Sequence, residues 1–224
     1  MVGEAAARRT VTAPGQVQYE PAIVTALHPA PEPHRLYFVT RRCIDIVLAL
    51  MLLVFALPIL ALASLAILLT NRRSPLLLQR RVGWLGREFT MFKLRTMRDE
   101  GATPGVFGEK ALHDERVTVV GRLLRRTSID ELPQLINVLA GRMTLVGPRP
   151  GLPSEVALYR LSWRGRLSVK PGLSGLWQVS GRSGLPLERW MALDRLYIRR
   201  RSTGFDLIIL ARTVAAVASM RGAW

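Results

Sequence analysis

Two adjacent carboxylates, Asp130 and Glu131, are the residues best placed to do chemistry, because two arginines come shortly before them. The run from Arg125 to Gln134 reads Arg-Arg-Thr-Ser-Ile-Asp-Glu-Leu-Pro-Gln. Ser128 and Glu131 have the spacing of a capping box, which predicts a helix start with both acids in its first turn. Such a helix end favours carboxylates and phosphate oxygens alike. The pair could hold a divalent cation and a diphosphate, or it could be a capped helix start with solvated acids.

Basic and glycine-rich motifs elsewhere supply candidate phosphate ligands. Arg149 lies between two prolines in Gly147-Pro148-Arg149-Pro150, which stiffen the backbone around a guanidinium that can bind phosphate with two prongs. A proline-rich turn with a surface arginine explains this motif equally well. Lys93 and Arg95 share one face if the chain is extended there, and glycines in segment 170–182 would let the backbone approach a ligand closely. The candidate substrate-binding residues are Lys93, Arg95, Arg125, Arg149, Gln178 and Arg182.

Several other chemistries lack the residues that they need. The three histidines, His28, His34 and His113, are scattered, and their spacing suits neither a metal site nor a catalytic triad. Cys43 is the only cysteine, which excludes an intramolecular disulfide framework and zinc-finger spacing. Neither of the glycine-rich phosphate-binding patterns, G-x-x-x-x-G-K-[ST] and G-x-G-x-x-G, occurs in the sequence. Phosphate chemistry would therefore depend on the carboxylates and the basic residues.

The charge balance predicts a polyanionic partner. The 224 residues carry 32 Lys and Arg against 16 Asp and Glu, which gives a formal net charge of +16. Nucleic acid, an anionic membrane surface and phosphorylated substrates all meet this description. Hydrophobic residues make up 49% of the chain, enough for a core, so intrinsic disorder is excluded for most of it.

A long apolar segment near the N-terminus predicts a membrane anchor. Residues 44–70 contain one charged side chain, Asp45, near their start. As one helix they would measure about 40 Å at about 1.5 Å per residue, more than the roughly 30 Å hydrocarbon core. Pro58 falls at the middle, and arginines flank both ends, which favours both ends in the cytoplasm. We therefore expect a re-entrant helix–break–helix over 35–74 within one leaflet, with a tilted spanning helix as the alternative.

The anchor separates two segments of different composition. Residues 1–34 are polar, rich in alanine and proline, and without periodicity, so we interpret them as a flexible tail. Residues 75–224 predict a mixed α/β domain, mostly helical and α+β-like. Its predicted elements are a strand at 89–94 and helices at 117–126, 131–140, 186–200 and 205–220. The helix at 186–200 is amphipathic with interleaved arginines, which suits a membrane surface or an ordinary surface helix packed on the core.

Seven ordered features together resemble a known family. They are the proline-interrupted apolar segment, Gln79-x-Arg81-x-Gly83, Phe92-Lys93-x-Arg95-Thr96-Met97, Asp114-x-Arg116-Val117-Thr118, Arg125-x-Thr127-Ser128-x-Asp130-Glu131-Leu132-Pro133-Gln134, Gly147-Pro148-Arg149-Pro150 and Lys170-Pro171-Gly172. Over about residues 36–220 the chain resembles the bacterial sugar transferase family. These are the monotopic polyprenyl-phosphate hexose-1-phosphate transferases, also called phosphoglycosyl transferases. Because only a polar tail precedes the anchor, the chain is similar to the small members.

The resemblance implies a reaction. Members transfer a sugar 1-phosphate from a UDP-sugar to a polyprenyl (undecaprenyl) phosphate and release UMP, through an aspartyl-phosphosugar intermediate. This step initiates exopolysaccharide, capsule, O-antigen or glycoprotein glycan assembly. The resemblance implies Asp130 as the nucleophile and Glu131 as the principal Mg²⁺ ligand, with Asp130 beside it. The phosphate ligands would be Lys93, Arg95, Arg125 and Arg149.

The resemblance also implies a location and partners. The expected place is the cytoplasmic face of the bacterial inner membrane, in contact with anionic lipids. A homodimer stays open, and no nucleic-acid partner is expected. Two other function classes remain as alternatives. A membrane-tethered nucleic-acid binder would bind DNA or RNA in a salt-sensitive way without metal, and for a non-enzymatic membrane scaffold the substitution Asp130→Asn would be silent.

Overall fold

The computed structural model describes residues 34–98, 115–181 and 184–219, together with two short strands at 10–11 and 17–18. The helices are α1 (Arg35–Asn71), α2 (Val119–Thr127), α3 (Gln134–Leu139), α4 (Pro153–Ala157), α5 (Leu187–Arg200) and α6 (Thr203–Ala218). The strands are β1 (Thr10–Val11), β2 (Val17–Gln18), β3 (Leu76–Val82), β4 (Glu88–Leu94), β5 (Thr144–Val146) and β6 (Gly172–Ser174). Short 3₁₀ segments lie at Trp84–Gly86, Ile129–Glu131 and Leu161–Ser168. The described part is thus mostly helical with some sheet, as the sequence predicts. Most of the predicted tail, 1–34, lies outside the described residues.

The described strands pair in three two-stranded sheets. β3 and β4 form an antiparallel hairpin in which Leu77 lies opposite Lys93 and Gln79 opposite Met91. β5 and β6 are parallel, and their pairing joins the segment before Pro148 to the Lys170-Pro171-Gly172 segment. The β3–β4 hairpin confirms the predicted strand at 89–94 and gives Lys93 a fixed place in a sheet.

Helix α1 runs for 37 residues through Pro58. The sequence predicts a break at this proline, whereas the structure keeps the residues on both sides of it helical. Within the described residues, α1 is the one helix long and apolar enough to cross a membrane. The anchor is therefore present as a continuous helical segment, and the re-entrant hairpin stays a prediction.

One stripe of α1 packs against the rest of the domain along nearly its whole length. The buried residues recur every four or seven positions, and they are Tyr37, Arg41, Asp45, Ala49, Ala56, Ala63 and Ile67. The partly buried Leu53 and Leu60 fill gaps in the same stripe. The other faces are apolar and open, with Phe55 at 71% and Leu62 at 70% exposure. Such a surface needs an apolar covering.

The first half of α1 is fixed by a buried polar network. Asp206 at the start of α6 accepts hydrogen bonds from the Tyr37 hydroxyl at 3.0 Å and the Tyr197 hydroxyl at 2.8 Å. The Arg41 guanidinium donates to the Tyr37 hydroxyl at 2.8 Å and to Thr144 Oγ1 at 2.8 Å, and its Nε lies 3.7 Å from Asp206. These hydrogen bonds offset much of the cost of burying the polar groups, although Arg41 Nε has no hydrogen-bond partner among the described residues. Three helices and β5 therefore meet at one cluster.

The two C-terminal helices differ in what they bury. In α5, Met191, Tyr197 and Ile198 pack into the core clusters, as the ordinary surface-helix alternative expects. In α6, Ile209 is buried, while Leu207 and Val214 are open to solvent. Helices α5 and α6 thus confirm the predicted helices at 186–200 and 205–220. Exposed apolar side chains that could meet a membrane surface are present on α6.

Candidate functional site

The acidic pair lies in a tight turn between two helices. Asp130 and Glu131 belong to the 3₁₀ turn Ile129–Glu131, which joins the end of α2 to the start of α3. Ser128 adopts the left-handed conformation, with φ at 59°, and its N–H donates back to the Arg125 carbonyl. Its side chain makes no capping hydrogen bond. The predicted capping box is therefore wrong, because the left-handed Ser128 ends α2 and its side chain caps nothing. Both acids do lie in the first turn of a helical segment, the 3₁₀ turn that follows Ser128.

Asp130 is buried and ion-paired. Its side chain is 4% exposed, and its Oδ2 lies 3.1 Å from Lys93 Nζ. Burial raises the pKa of Asp130 above the usual value, and the negative charge of Glu131 adds to this effect, while Lys93 and Arg125 act in the opposite direction. A carboxylate with few competing waters and an adjacent cation is suited to meet a phosphorus atom that bears negative oxygens.

Glu131 is paired with the arginine of the proline-rich motif. Arg149 Nη1 donates to Glu131 Oε1 at 2.8 Å. The negative charge of Glu131 is the main reason that the pKa of Arg149 is raised, so this guanidinium stays protonated. The two motifs that the sequence singled out separately thus meet in one place. The two adjacent acids are each paired with a different cation there, Asp130 with Lys93 and Glu131 with Arg149.

Asn137 sets the position of Lys93, and the sequence analysis missed it. Its Nδ2 donates to the Thr90 carbonyl at 2.7 Å, and its Oδ1 accepts from the Phe92 N–H at 3.0 Å. The amide thus binds the backbone of β4 as a neighbouring strand would. Because Asn137 lies on α3, directly after the acidic turn, it ties the strand of Lys93 to the turn of Asp130. The available signal was an asparagine between Leu135 and Val138 on the apolar side of a helix.

The structure separates Arg125 from Arg95. Arg125 Nε donates at 2.9 Å to Oγ1 of Thr96, which is fully buried, and its charge acts on Asp130. Arg95 lies just past the end of β4, and its Nε donates to the Ser74 carbonyl at 3.0 Å. Among the described residues, Arg95 forms no ion pair with either carboxylate. Lys93 thus contacts the acidic turn, and Arg95 contacts the segment after α1.

The remaining predicted residues are Gln178, which contacts the 172–175 segment, and Arg182. Gln178 donates weakly to the Leu173 carbonyl at 3.4 Å. Its Oε1 is buried without a hydrogen-bond partner among the described residues. A Cβ placed on Gly175 would lie 3.2 Å from that oxygen, so Gln178 packs beside the 172–175 segment. Arg182 lies outside the described residues.

Arg81 is a second residue that the site analysis from sequence left without a role. Its Nη1 donates to the Pro150 carbonyl at 3.2 Å and lies 3.8 Å from Glu155 Oε2. Burial, followed by the charge of Arg149, lowers its pKa to about 10, so it stays charged at neutral pH. Arg81 therefore adds a second cation behind Arg149.

The two carboxylates suit a magnesium ion that takes its other ligands from water and from a substrate. Within the described residues, no three His, Cys, Asp or Glu side chains cluster as a metal-binding group. Mg²⁺ commonly binds through one or two carboxylates, several waters and substrate phosphates. Asp130 and Glu131 offer two hard oxygen ligands next to each other, so the donor set suits Mg²⁺ together with a diphosphate and does not suit an all-protein cage.

The chain is similar to known sugar transferases. The family model described as bacterial sugar transferase matches residues 36–220. The exopolysaccharide production protein ExoY of Sinorhizobium fredii is 35% identical over 200 residues, covering 83% of this chain and 88% of that protein. The UDP-glucose:undecaprenyl-phosphate glucose-1-phosphate transferase of Caulobacter vibrioides is 41% identical over 192 residues, covering 82% and 72%. The transferase of the same name in Escherichia coli is 38% identical over 182 residues, covering 78% of this chain and 39% of its own length.

Proposed function

The chain belongs to the bacterial sugar transferase family, and we propose that it transfers a sugar 1-phosphate from a UDP-sugar to a polyprenyl phosphate and releases UMP. It is an enzyme of the phosphoglycosyl transferase class. Relatives are named for transferring glucose 1-phosphate or galactose phosphate to undecaprenyl phosphate. We take undecaprenyl phosphate as the acceptor and a hexose as the sugar, in the first step of exopolysaccharide or related glycan assembly.

The observation that carries this proposal is that each of the two adjacent acids at this turn is paired with its own cation. Asp130 lies 3.1 Å from Lys93, and Glu131 lies 2.8 Å from Arg149. A reaction between two phosphate compounds must overcome the repulsion of their negative charges, which fixed cations reduce. The same turn supplies a buried carboxylate as the nucleophile. Nucleophile and charge neutralisation are thus within one small region.

The proposed reaction has two displacement steps. A carboxylate oxygen of Asp130 attacks the sugar-bearing phosphorus of the donor, and the bond from that phosphorus to the bridging oxygen breaks, so UMP leaves with the electron pair. A phosphate oxygen of the polyprenyl phosphate then attacks the same phosphorus, and the Asp130 carboxylate leaves. The product is a polyprenyl diphosphate sugar, Asp130 is regenerated, and no net proton transfer is required.

Each neighbouring residue has a proposed role in these steps. Lys93 neutralises charge next to the attacking oxygen, and Arg125 and Arg149 bind phosphate oxygens of the donor. Asp130 and Glu131 would hold Mg²⁺, which reduces the charge on the diphosphate when it is bound. Arg95 and Gln178 stay predicted substrate ligands, because their contacts do not join them to the acidic turn. Arg182 stays one as well, since it lies outside the described residues.

We further propose that α1 is re-entrant and that the protein is monotopic on the cytoplasmic face of the membrane. Residues near both ends of α1 pack on the domain that holds the acidic turn. Asp45 Oδ1 accepts the Leu145 N–H at 2.9 Å, and Ile67 packs with Leu94 and Leu124. A helix that crossed the bilayer would place its two ends about 30 Å apart on opposite sides. The packing stripe therefore supports entry and exit on one side.

The flanking arginines support the same topology less strongly than the sequence suggests. Arg41 is buried in the Asp206 network, and Arg42 donates to the Val138 and Leu139 carbonyls at the end of α3, at 2.7 Å and 2.8 Å. These two cations satisfy groups of the domain. The topology proposal therefore depends mainly on the packing of α1, and Arg35 and Arg72 remain as exposed flanking charges.

A UMP-release assay tests the proposed function. The full chain in lipid nanodiscs would be given undecaprenyl phosphate, Mg²⁺ and each of several UDP-sugars. Wild-type protein should release UMP with at least one donor, and Asp130→Asn should release none above background. Glu188→Gln, at an exposed carboxylate on α5, is the matched control and should behave as wild type. Release of UMP by Asp130→Asn at the wild-type rate would refute the role of Asp130. No release by wild-type protein with any donor would refute the proposed function and would fit the scaffold alternative.

A further inference from the structure

The loop Pro148–Gly151 around Arg149 is held by all four of its backbone carbonyls. Because Pro148 and Pro150 have no N–H groups, the carbonyls are the main places where the rest of the domain can bind this loop. Each carbonyl accepts a hydrogen bond from a different residue. The donors are the Gly172 N–H to Pro148 at 2.9 Å, Arg166 Nη2 to Arg149 at 2.8 Å, Arg81 Nη1 to Pro150 at 3.2 Å and the Val82 N–H to Gly151 at 2.9 Å.

The donor to Arg149 is itself buried and oriented. Arg166 lies in the 3₁₀ segment Leu161–Ser168, and its Nη2 is 2.8 Å from Asp194 Oδ2 on α5. Its Nη1 donates to the Tyr159 hydroxyl at 2.7 Å, and the guanidinium lies over the Tyr159 ring at 5.4 Å. The side chains of Arg166 and Asp194 are 9% and 2% exposed. Three contacts therefore fix the guanidinium that binds the Arg149 carbonyl.

Stability alone does not account for this buried pair. Removing two charges from water is costly, and well-packed apolar residues of similar size often give equal or greater stability. Burial raises the pKa of Asp194 to about 6, which reflects that cost. What the pair provides and apolar residues cannot is a directed hydrogen bond to the Arg149 backbone. Arg149 is thus held at both ends, by Arg166 at its carbonyl and by Glu131 at its guanidinium.

We propose that Arg166 is a positioning residue for the transfer reaction, and that Asp194 orients it. Arg166 holds the backbone of Arg149 so that the guanidinium stays at the acidic turn, where it meets the phosphate of the donor. This inference rests on the phosphate-binding role of Arg149 proposed above. A displacement of about 1 Å at a catalytic group can cost about 10²-fold in rate, so loosening this anchor should lower kcat without any contact between Arg166 and the substrate.

Two substitutions perturb the anchor while keeping its shape. Arg166→Lys retains the charge and loses the planar fork, so it cannot contact Asp194, Tyr159 and the Arg149 carbonyl together. Asp194→Asn keeps the size of the side chain and removes the negative charge that orients Arg166. Arg189→Lys, at an exposed arginine on the same helix as Asp194, is the matched control. Thermal unfolding of every variant shows whether the fold is retained, and Asp194→Asn serves if Arg166→Lys does not fold.

The decisive experiment combines these variants with Arg149→Lys. We would measure kcat and KM for UMP release by the full chain in nanodiscs. Arg166→Lys and Asp194→Asn should each lower kcat about 10²-fold, with KM for the UDP-sugar changed much less, and Arg189→Lys should leave both unchanged. In the Arg149→Lys background, either substitution should cost little more, because both act through Arg149. A general loss of packing would instead lower the rate in both backgrounds by the same factor.

The outcomes separate the two proposals. If Arg149→Lys retains the wild-type rate, the proposed role of Arg149 fails, and the positioning role fails with it. If Arg149→Lys is impaired while Arg166→Lys and Asp194→Asn keep the wild-type kcat, only the positioning role is overturned. Losses that multiply fully in the double variants would likewise overturn it.

Discussion

Glu131 and Arg149 should respond to magnesium in opposite directions, because they bind each other in the structure. If Glu131 is a Mg²⁺ ligand, the Arg149 guanidinium competes with the metal for the same carboxylate. Arg149→Met removes the competitor and should tighten Mg²⁺ binding, although the lost phosphate contact lowers the rate. Glu131→Gln removes a hard anionic oxygen and should weaken Mg²⁺ binding. The two variants thus shift the Mg²⁺ dependence in opposite senses.

The geometry gives the size of the first shift. The pair is joined by one hydrogen bond of 2.8 Å between side chains that are 29% and 21% exposed. A hydrogen bond to a charged group contributes about 1.5–3 kcal/mol, and partial exposure reduces this toward roughly 1 kcal/mol. Because about 1.4 kcal/mol is a factor of ten, the half-saturating Mg²⁺ concentration of Arg149→Met should fall about fivefold. For Glu131→Gln the half-saturating Mg²⁺ concentration should rise. Loss of a residue that only contacts a metal ligand costs roughly 10–100-fold in metal affinity, and loss of a ligand itself should cost at least as much.

The assay is the initial rate of UMP release against Mg²⁺ concentration, with Glu188→Gln as the control. Added Mg²⁺ should recover part of the activity of Glu131→Gln. The rate of Arg149→Met should stay about 10²–10³-fold below wild type at saturating Mg²⁺, the usual cost of one lost transition-state donor. Half-saturation that shifts the same way in both variants, or in neither, would refute the assignment of metal to Glu131 and phosphate to Arg149.

Three further predictions concern the elements around the site. Lys93→Met removes the main charge that lowers the pKa of Asp130, so this pKa should rise. Because the nucleophile must be ionised, the acid limb of the rate–pH profile should move to higher pH. An acid limb that does not move would show that Lys93 does not control the ionisation of Asp130. Asn137→Leu leaves the Thr90 carbonyl and the Phe92 N–H without their partner, at about 1–3 kcal/mol each, so thermal unfolding should occur earlier and kcat should fall; unchanged unfolding would show that the amide does not hold β4. Pro58→Ala restores a backbone donor, so a re-entrant α1 should straighten and part of the protein should span the membrane; cysteine labelling after residue 72 measures this, and wild-type protein labelled there from the periplasm would contradict the re-entrant topology.

The candidate site was predictable because its residue types lie close together in sequence. The run around Asp130 and Glu131 and the proline-rich motif around Arg149 stand out by composition, and the resemblance implies their roles as nucleophile, metal ligand and phosphate ligand. What the sequence could not show is the conformation of Ser128. An S-x-x-E spacing is common to helix starts, and only the positive φ of this residue shows that it ends α2 and gives no side-chain cap to the 3₁₀ turn after it.

The supporting contacts were not predictable, because they join residues far apart in the chain. Asn137 binds the backbone of β4, and Arg166 binds the carbonyl of Arg149. Nothing in the sequence next to Asn137 or Arg166 indicates which backbone group each side chain binds. Arg41 shows the same limit, because by position it is one more flanking arginine, yet it is buried with Asp206. A charge near a membrane segment can therefore belong to the fold rather than to the topology signal.

The central claim is that Asp130 becomes covalently bonded to the phosphosugar, and one mass measurement tests it most directly. Full-length protein would be incubated with a UDP-sugar that supports turnover and with Mg²⁺, but without the lipid acceptor, and its peptides would then be analysed by mass spectrometry. The peptide that contains Asp130 should gain the mass of a hexose phosphate, and added undecaprenyl phosphate should remove it. Asp130→Asn should show no adduct under the same conditions. Wild-type protein that releases UMP only when both substrates are bound, and that never shows the adduct, would contradict the account.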